Sequence, residues 1–200
     1  MGRQVTNRNS RGFGEEYMIE VEIYTTDHVI RGFTETSGER LSDTLNDKKF
    51  SGLFLSDVQM ARLLTIGKEP PKRIFEANIE KSNILFAKPI QFDITHKSLY
   101  RRATRQIFHV TVLLPNFELR GLIHLTEKLD VSRVLTTRPE DFIPLTGATA
   151  TYMLNPQIVV KSSTLIFNKA PMVMLGEVLS ANETFESNTE PRPVNNKTGG

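Results

Sequence analysis

The sequence predicts a mostly β protein made of two tandem small β-barrel repeats, with short helical connectors and disordered termini. Three observations lead there. Apolar and polar residues alternate in short runs, the runs come twice in one order, and both ends carry few large apolar groups. A chain of 200 residues that is 38% hydrophobic can bury a core. Two units of roughly 80 residues would each have a thin one, so the halves are expected to pack against each other or against another chain.

Residues 1–16 are rich in Arg, Asn and Gly and cannot offset the entropy of ordering, which makes them a disordered N-terminal arm. The first repeat, 17–95, opens on a strand. Ile19, Val21 and Ile23 alternate with Glu20, Glu22 and Tyr24, the period of a segment with one buried face. A polar turn leads to a second strand ending in Arg31-Gly32. Ser37 to Asn46 fits one or two helical turns, Leu53 to Val58 an apolar strand, and TIGKEPPKRIFEANIEKS a long final loop before ILFAKPI. HKSLYRRATRQ, residues 96–106, is a basic linker read as a turn or short helix. In the second repeat, 107–180, Val110, Val112 and Leu114 alternate as before, and Lys128 to Leu135 is the helical candidate. Ile158 to Val160 and Leu165 to Leu175 are β-branched or apolar, as buried strands are, and the last run closes the repeat as a hairpin. The tail, 181–200, is polar, proline-broken and expected to be disordered.

Five blocks recur in order, the signature of an internal duplication. Val21 and Ile23 correspond to Val110 and Val112. Ile30, Arg31, Gly32 and Phe33 correspond to Leu119, Arg120, Gly121 and Leu122. RLSDTL (Arg40 to Leu45) lies over DVSRVL (Asp130 to Leu135), which sets Ser42 on Ser132. LFLSDV lies over IPLTGA, and ILFAKPI over LIFNKAP, with Phe86 on Phe167 and Lys88 on Lys169. A glycine at a strand end permits a bulge or tight bend, and the arginine before it can reach across a barrel rim to a carboxylate. Ligand binding by these Arg-Gly pairs is the competing reading.

Each unit, written as strand, turn, strand ending in Arg-Gly, connector, apolar strand and hairpin, resembles a small Sm-like or SH3-like barrel. VTVLLPNFELRGLI, FIPLTGATATYM and STLIFNKAPMVML carry the likeness best. RLSDTLN with the apolar strand after it also resembles an uncharacterised family of bacterial proteins with this barrel. The resemblance covers about 70 residues of each half and implies strand edges open to pairing with a neighbour. RNA-reading Sm-like proteins place an Asp/Asn loop after the third strand and Arg-Gly near the fourth. Here Arg-Gly ends the second strand and no such Asn loop is evident, which argues against RNA reading of that kind.

Composition excludes several chemistries. There are no cysteines, so thiol catalysis, disulfides and cysteine-bound zinc are absent. His28, His96, His109 and His124 fit no spaced metal motif. No nucleophile elbow, phosphate loop or dinucleotide fingerprint appears, and no cofactor is expected. No apolar run reaches membrane-spanning length, and a cytoplasmic protein is expected. Gly2 and Thr6 match the N-myristoylation pattern.

The linker is the one dense cationic stretch: Lys97, Arg101, Arg102 and Arg105 beside Tyr100. Such a patch can hold phosphate and stack a base, or can pair with carboxylates of a neighbouring unit. Arg101 and Arg105, followed by Asp130, Val131 and Ser132, also resemble the PilZ signature, which implies cyclic-dinucleotide binding. The glycine that signature expects is Leu135, and Ser132 already matches Ser42. At +2 the net charge is slight for a nucleic-acid binder. The reading that follows is a non-enzymatic module that forms a homo-oligomer or docks a protein partner through barrel edges and loops. Nucleic-acid or nucleotide binding through the linker is the alternative.

Overall fold

Ten strands form in the residues where apolar side chains recur, and they make a mostly β protein. The computed structural model describes residues 17–36, 40–90, 106–125 and 139–178. The first five strands are β1 (Met18–Tyr24), β2 (His28–Glu35), β3 (Gly52–Arg62), β4 (Lys72–Glu80) and β5 (Phe86–Pro89). The last five are β6 (Gln106–Leu114), β7 (Phe117–Leu125), β8 (Phe142–Tyr152), β9 (Val159–Asn168) and β10 (Met174–Glu177). Among the described residues, the single α-helix is α1 (Leu41–Asn46), with 3-10 turns at Leu63–Thr65 and Lys81–Asn83. Leu41 and Leu45 anchor α1 to the core, which is why a helix this short holds.

All ten strands belong to one antiparallel sheet in the order β10-β6-β7-β8-β9-β5-β1-β2-β3-β4. Its outer strands, β10 and β4, do not pair with each other. The expected separation into two barrels is thus replaced by a continuous sheet, because β5 pairs with β9 across the middle. Within each group of five the order is the same: last, first, second, third, fourth.

The ladders match in detail. Val21 faces Gly32 as Val110 faces Gly121. The second ladder slips by a residue between Arg31 and Phe33, and again between Arg120 and Leu122. Leu53 and Ile143 occupy the same place opposite Ile79 and Phe167.

Three expectations need correction. Phe86 does not occupy the place of Phe167. The two are cross-strand partners on β5 and β9. By ladder position Phe86 matches Met174, and Phe167 matches Ile79. The stretch taken for a long loop contains β4, an edge strand with one buried residue, Ile79, and therefore little alternation to read. The expected closing hairpin is also absent, since β9 pairs with β8 and β5, and β10 with β6.

Two apolar clusters form the core, and each borrows from the other half. Tyr24, Leu63, Leu85 and Phe86 sit in the cluster made mainly by β6 to β9. Phe142 and Ile166 sit in the one made by β1, β3 and α1. Tyr24 stacks on Phe86 at 4.4 Å between ring centroids, and Phe117 meets both rings edge-on. The two halves therefore share one buried interior, as thin separate cores require.

Candidate functional site at the open sheet edges

The seam between the halves shows what a strand edge of this protein does when covered. Phe86 pairs with Phe167 and Ala87 with Ile166, and Asn168 N donates to Leu85 O at 2.9 Å. Two asparagines lock the seam. The Asn168 amide donates to Lys81 O at 3.2 Å and Ile84 O at 3.0 Å from inside the core. Asn46, at the end of α1, donates to Phe142 O and accepts from the backbone N–H groups of Asp141 and Phe142, each at 2.9 Å. Lys81 Nζ donates to Thr44 O and Asp47 O, and burial lowers its pKa against the pull of Asp47.

Beside the seam, Glu22 accepts from Tyr24 Oη and from Lys88 Nζ, both at 3.0 Å. Burial first, and then the charge of Glu22 and its hydrogen bond, hold the Tyr24 phenol protonated far above the ordinary range.

The outer edges carry the counterparts of these seam residues, several of them without a cover. Leu85 N donates to Tyr24 O as Val173 N donates to Leu113 O, and Ile90 N to Glu20 O as Val178 N to His109 O. By these bonds β10 lies on β6 as β5 lies on β1. Yet Leu85 and Phe86 are 3% and 0% exposed, while Val173 and Met174 are 72% and 44% exposed. On the other edge, β4 matches β9. Leu165 to Asn168 are all buried, whereas of their counterparts Asn78 and Glu80 are open, Ala77 is half-buried against the core and Ile79 is covered. Farther along β4, Phe75 stands 85% exposed with Ile74 beside it. Among the described residues these edges have no further strand beside them, and an exposed strand edge is a template on which another strand can pair.

The Arg-Gly pairs have a structural account. Arg31 Nε donates to Glu20 at 2.6 Å across the β1–β2 ladder, and Arg120 Nε to Glu118 at 2.6 Å along its own strand. A Cβ on Gly32 would come within 3.0 Å of Ser56 O, and one on Gly121 within 3.1 Å of Thr146 O and Ala148 Cβ. Both glycines face a bulge whose extra residue is left-handed, Asp57 at φ 46° and Gly147 at φ 55°. Ser42 lies on α1 with its hydroxyl toward Asp43.

Ser132 and the linker residues Lys97, Tyr100, Arg101, Arg102 and Arg105 lie outside the described residues, as do the arm 1–16, the tail 181–200 and the helical candidate from Lys128 to Leu135. No group of three or more His, Asp or Glu side chains is placed to hold a metal ion among the described residues. His28 pairs with Asp27 at 2.8 Å, and His124 Nε2 with Thr146 Oγ1 at 2.7 Å. No described helix is long and apolar enough to cross a membrane.

Residue reading placed the MVML run in a buried strand of a closing hairpin and so missed β10 as an exposed edge, placed β4 in a loop, and did not single out Asn46 or Asn168. The signal available for β4 was an Ile-Phe pair inside a charged stretch, odd for a solvated loop. Comparison with protein families, curated proteins and solved structures returns no match to this chain.

Proposed function

We propose that this chain is a non-enzymatic assembly module, two tandem copies of one small Sm-like or SH3-like five-stranded unit, which binds a protein, its own copies first, through the open edges of its sheet. One observation carries the reading: Leu85 and Phe86 are buried at the β5–β9 seam, whereas Val173 and Met174, which match them at the start of β10, stand exposed. Shared strand order and matching bulges support duplication. Edge strands are ordinarily blunted by charge or proline; β4 does carry Lys72, Arg73, Glu76 and Glu80, yet Phe75 stays exposed among them, and Val173 and Met174 stand exposed at the β10 edge.

Light scattering on the full chain across a concentration series tests this. The expected mass is a multiple of 22.7 kDa. A strict monomer with no protein bound would sink the proposal. A high absorbance ratio at the nucleic-acid wavelength that salt removes would shift the function to the linker cations Arg101, Arg102 and Arg105.

A further inference from the structure

We infer that β10 of one chain pairs antiparallel with β4 of the next, in the register of the internal seam. The inference rests on the assembly reading and names its partner: a second copy, joined head to tail. The seam supplies the geometry. Phe86 faces Phe167 and Ala87 faces Ile166. Replacing each by its ladder counterpart sets Met174 opposite Ile79, and Leu175 opposite Asn78, of the neighbour. The seam bond from Asn168 N to Leu85 O becomes one from Glu80 N to Val173 O.

The backbone of both edges is ready for this. Lys81 N donates to Ser51 O, so by alternation Ile79 and Ala77 turn their N–H groups toward β3, and Asn78 and Glu80 turn theirs outward. Val178 N donates to His109 O, so Gly176 and Met174 bond β6, while Leu175 turns outward. These outward groups are the ones the register joins. The apolar fit follows on the β10 side, where Val173, Met174 and Val178 stand in for Leu85, Phe86 and Ile90. The β4 side is more polar, with Asn78 for Ile166 and Glu80 for Asn168. The joint between chains is therefore weaker than the seam within one. Glu177 would meet Glu76 only if the ladder ran on, and the seam ladder stops at Ala87. A head-to-tail contact has different surfaces on its two sides, so it builds a closed ring or a filament rather than a two-fold dimer.

The absence of cysteine makes the register testable by cross-linking. Full chains carrying Glu80→Cys and full chains carrying Val173→Cys, both at exposed positions, are mixed and treated with a short bis-maleimide. The mixture is expected to give covalent dimer several-fold above either chain alone. If each variant links to itself as well as to the other while light scattering shows an oligomer, the register is wrong and the assembly reading stands. If light scattering shows a monomer, the assembly reading itself fails. Asn78→Pro removes one outward N–H from an edge strand, where proline is tolerated, and should give a 22.7 kDa monomer with unchanged circular dichroism. Met174→Asp, on the other edge, should do the same. An oligomer that survives both substitutions overturns the inference.

Discussion

Asp57 and Gly147 hold one backbone conformation with different residues, and so isolate what that conformation costs. Both are left-handed, at φ 46° and φ 55°. A Cβ on Gly147 would meet nothing within 4 Å, so a substitution there is felt through the backbone alone. Gly147→Ala should lower stability by about 1 kcal/mol. Asp57→Gly should change it by less than about 0.5 kcal/mol, because aspartate tolerates this region and glycine gives back entropy. Urea unfolding at one fixed protein concentration reads both, and equal losses at the two positions would contradict the bulge account.

Where the halves meet, the decisive residues are two asparagines, Asn168 at the β5–β9 seam and Asn46 between α1 and the start of β8. Asn168→Ala leaves the carbonyls of Lys81 and Ile84 without their amide donor and should cost about 2–3 kcal/mol. Asn46 is half-buried, so Asn46→Ala should cost less. Phe142 is the cross-strand partner of Asn168 and is held by Asn46, so the double variant should lose less than the two losses added. Strict additivity in thermal or urea unfolding would show that the halves are not locked through one seam.

The seam also marks the limit of what residue patterns reveal. The hairpins β1–β2 and β6–β7 were legible because each has one buried face, and Val21 and Ile23 alternate with charged neighbours as the geometry requires. Strand β5 is only four residues long, and the ends of β5 and β9 that pair are buried in continuous runs. A run with no alternation carries no register, so ILFAKPI and LIFNKAP aligned by likeness although they are neighbours rather than counterparts. β4 was illegible for the opposite reason, since an edge strand with one buried residue reads as a loop. The cationic linker drew attention for its composition, while the exposed edges, which depend on pairing between distant strands, are visible only in three dimensions.

At the scale of the whole molecule, a ten-stranded sheet closes its middle and leaves both ends open. The middle shows that a fifth strand of one half and a fourth strand of the other can be neighbours, and among the described residues the ends are a fourth and a fifth strand without one. The central claim is that those ends are covered by copies of the same chain, and amide hydrogen exchange across a dilution series tests it most directly. Undiluted, the outward amides of β4 and β10 should exchange slowly, nearly as slowly as those of β5 and β9, and should speed up together as the assembly dissociates. Rapid exchange along both edges at every concentration, with β5 and β9 protected throughout, would contradict it.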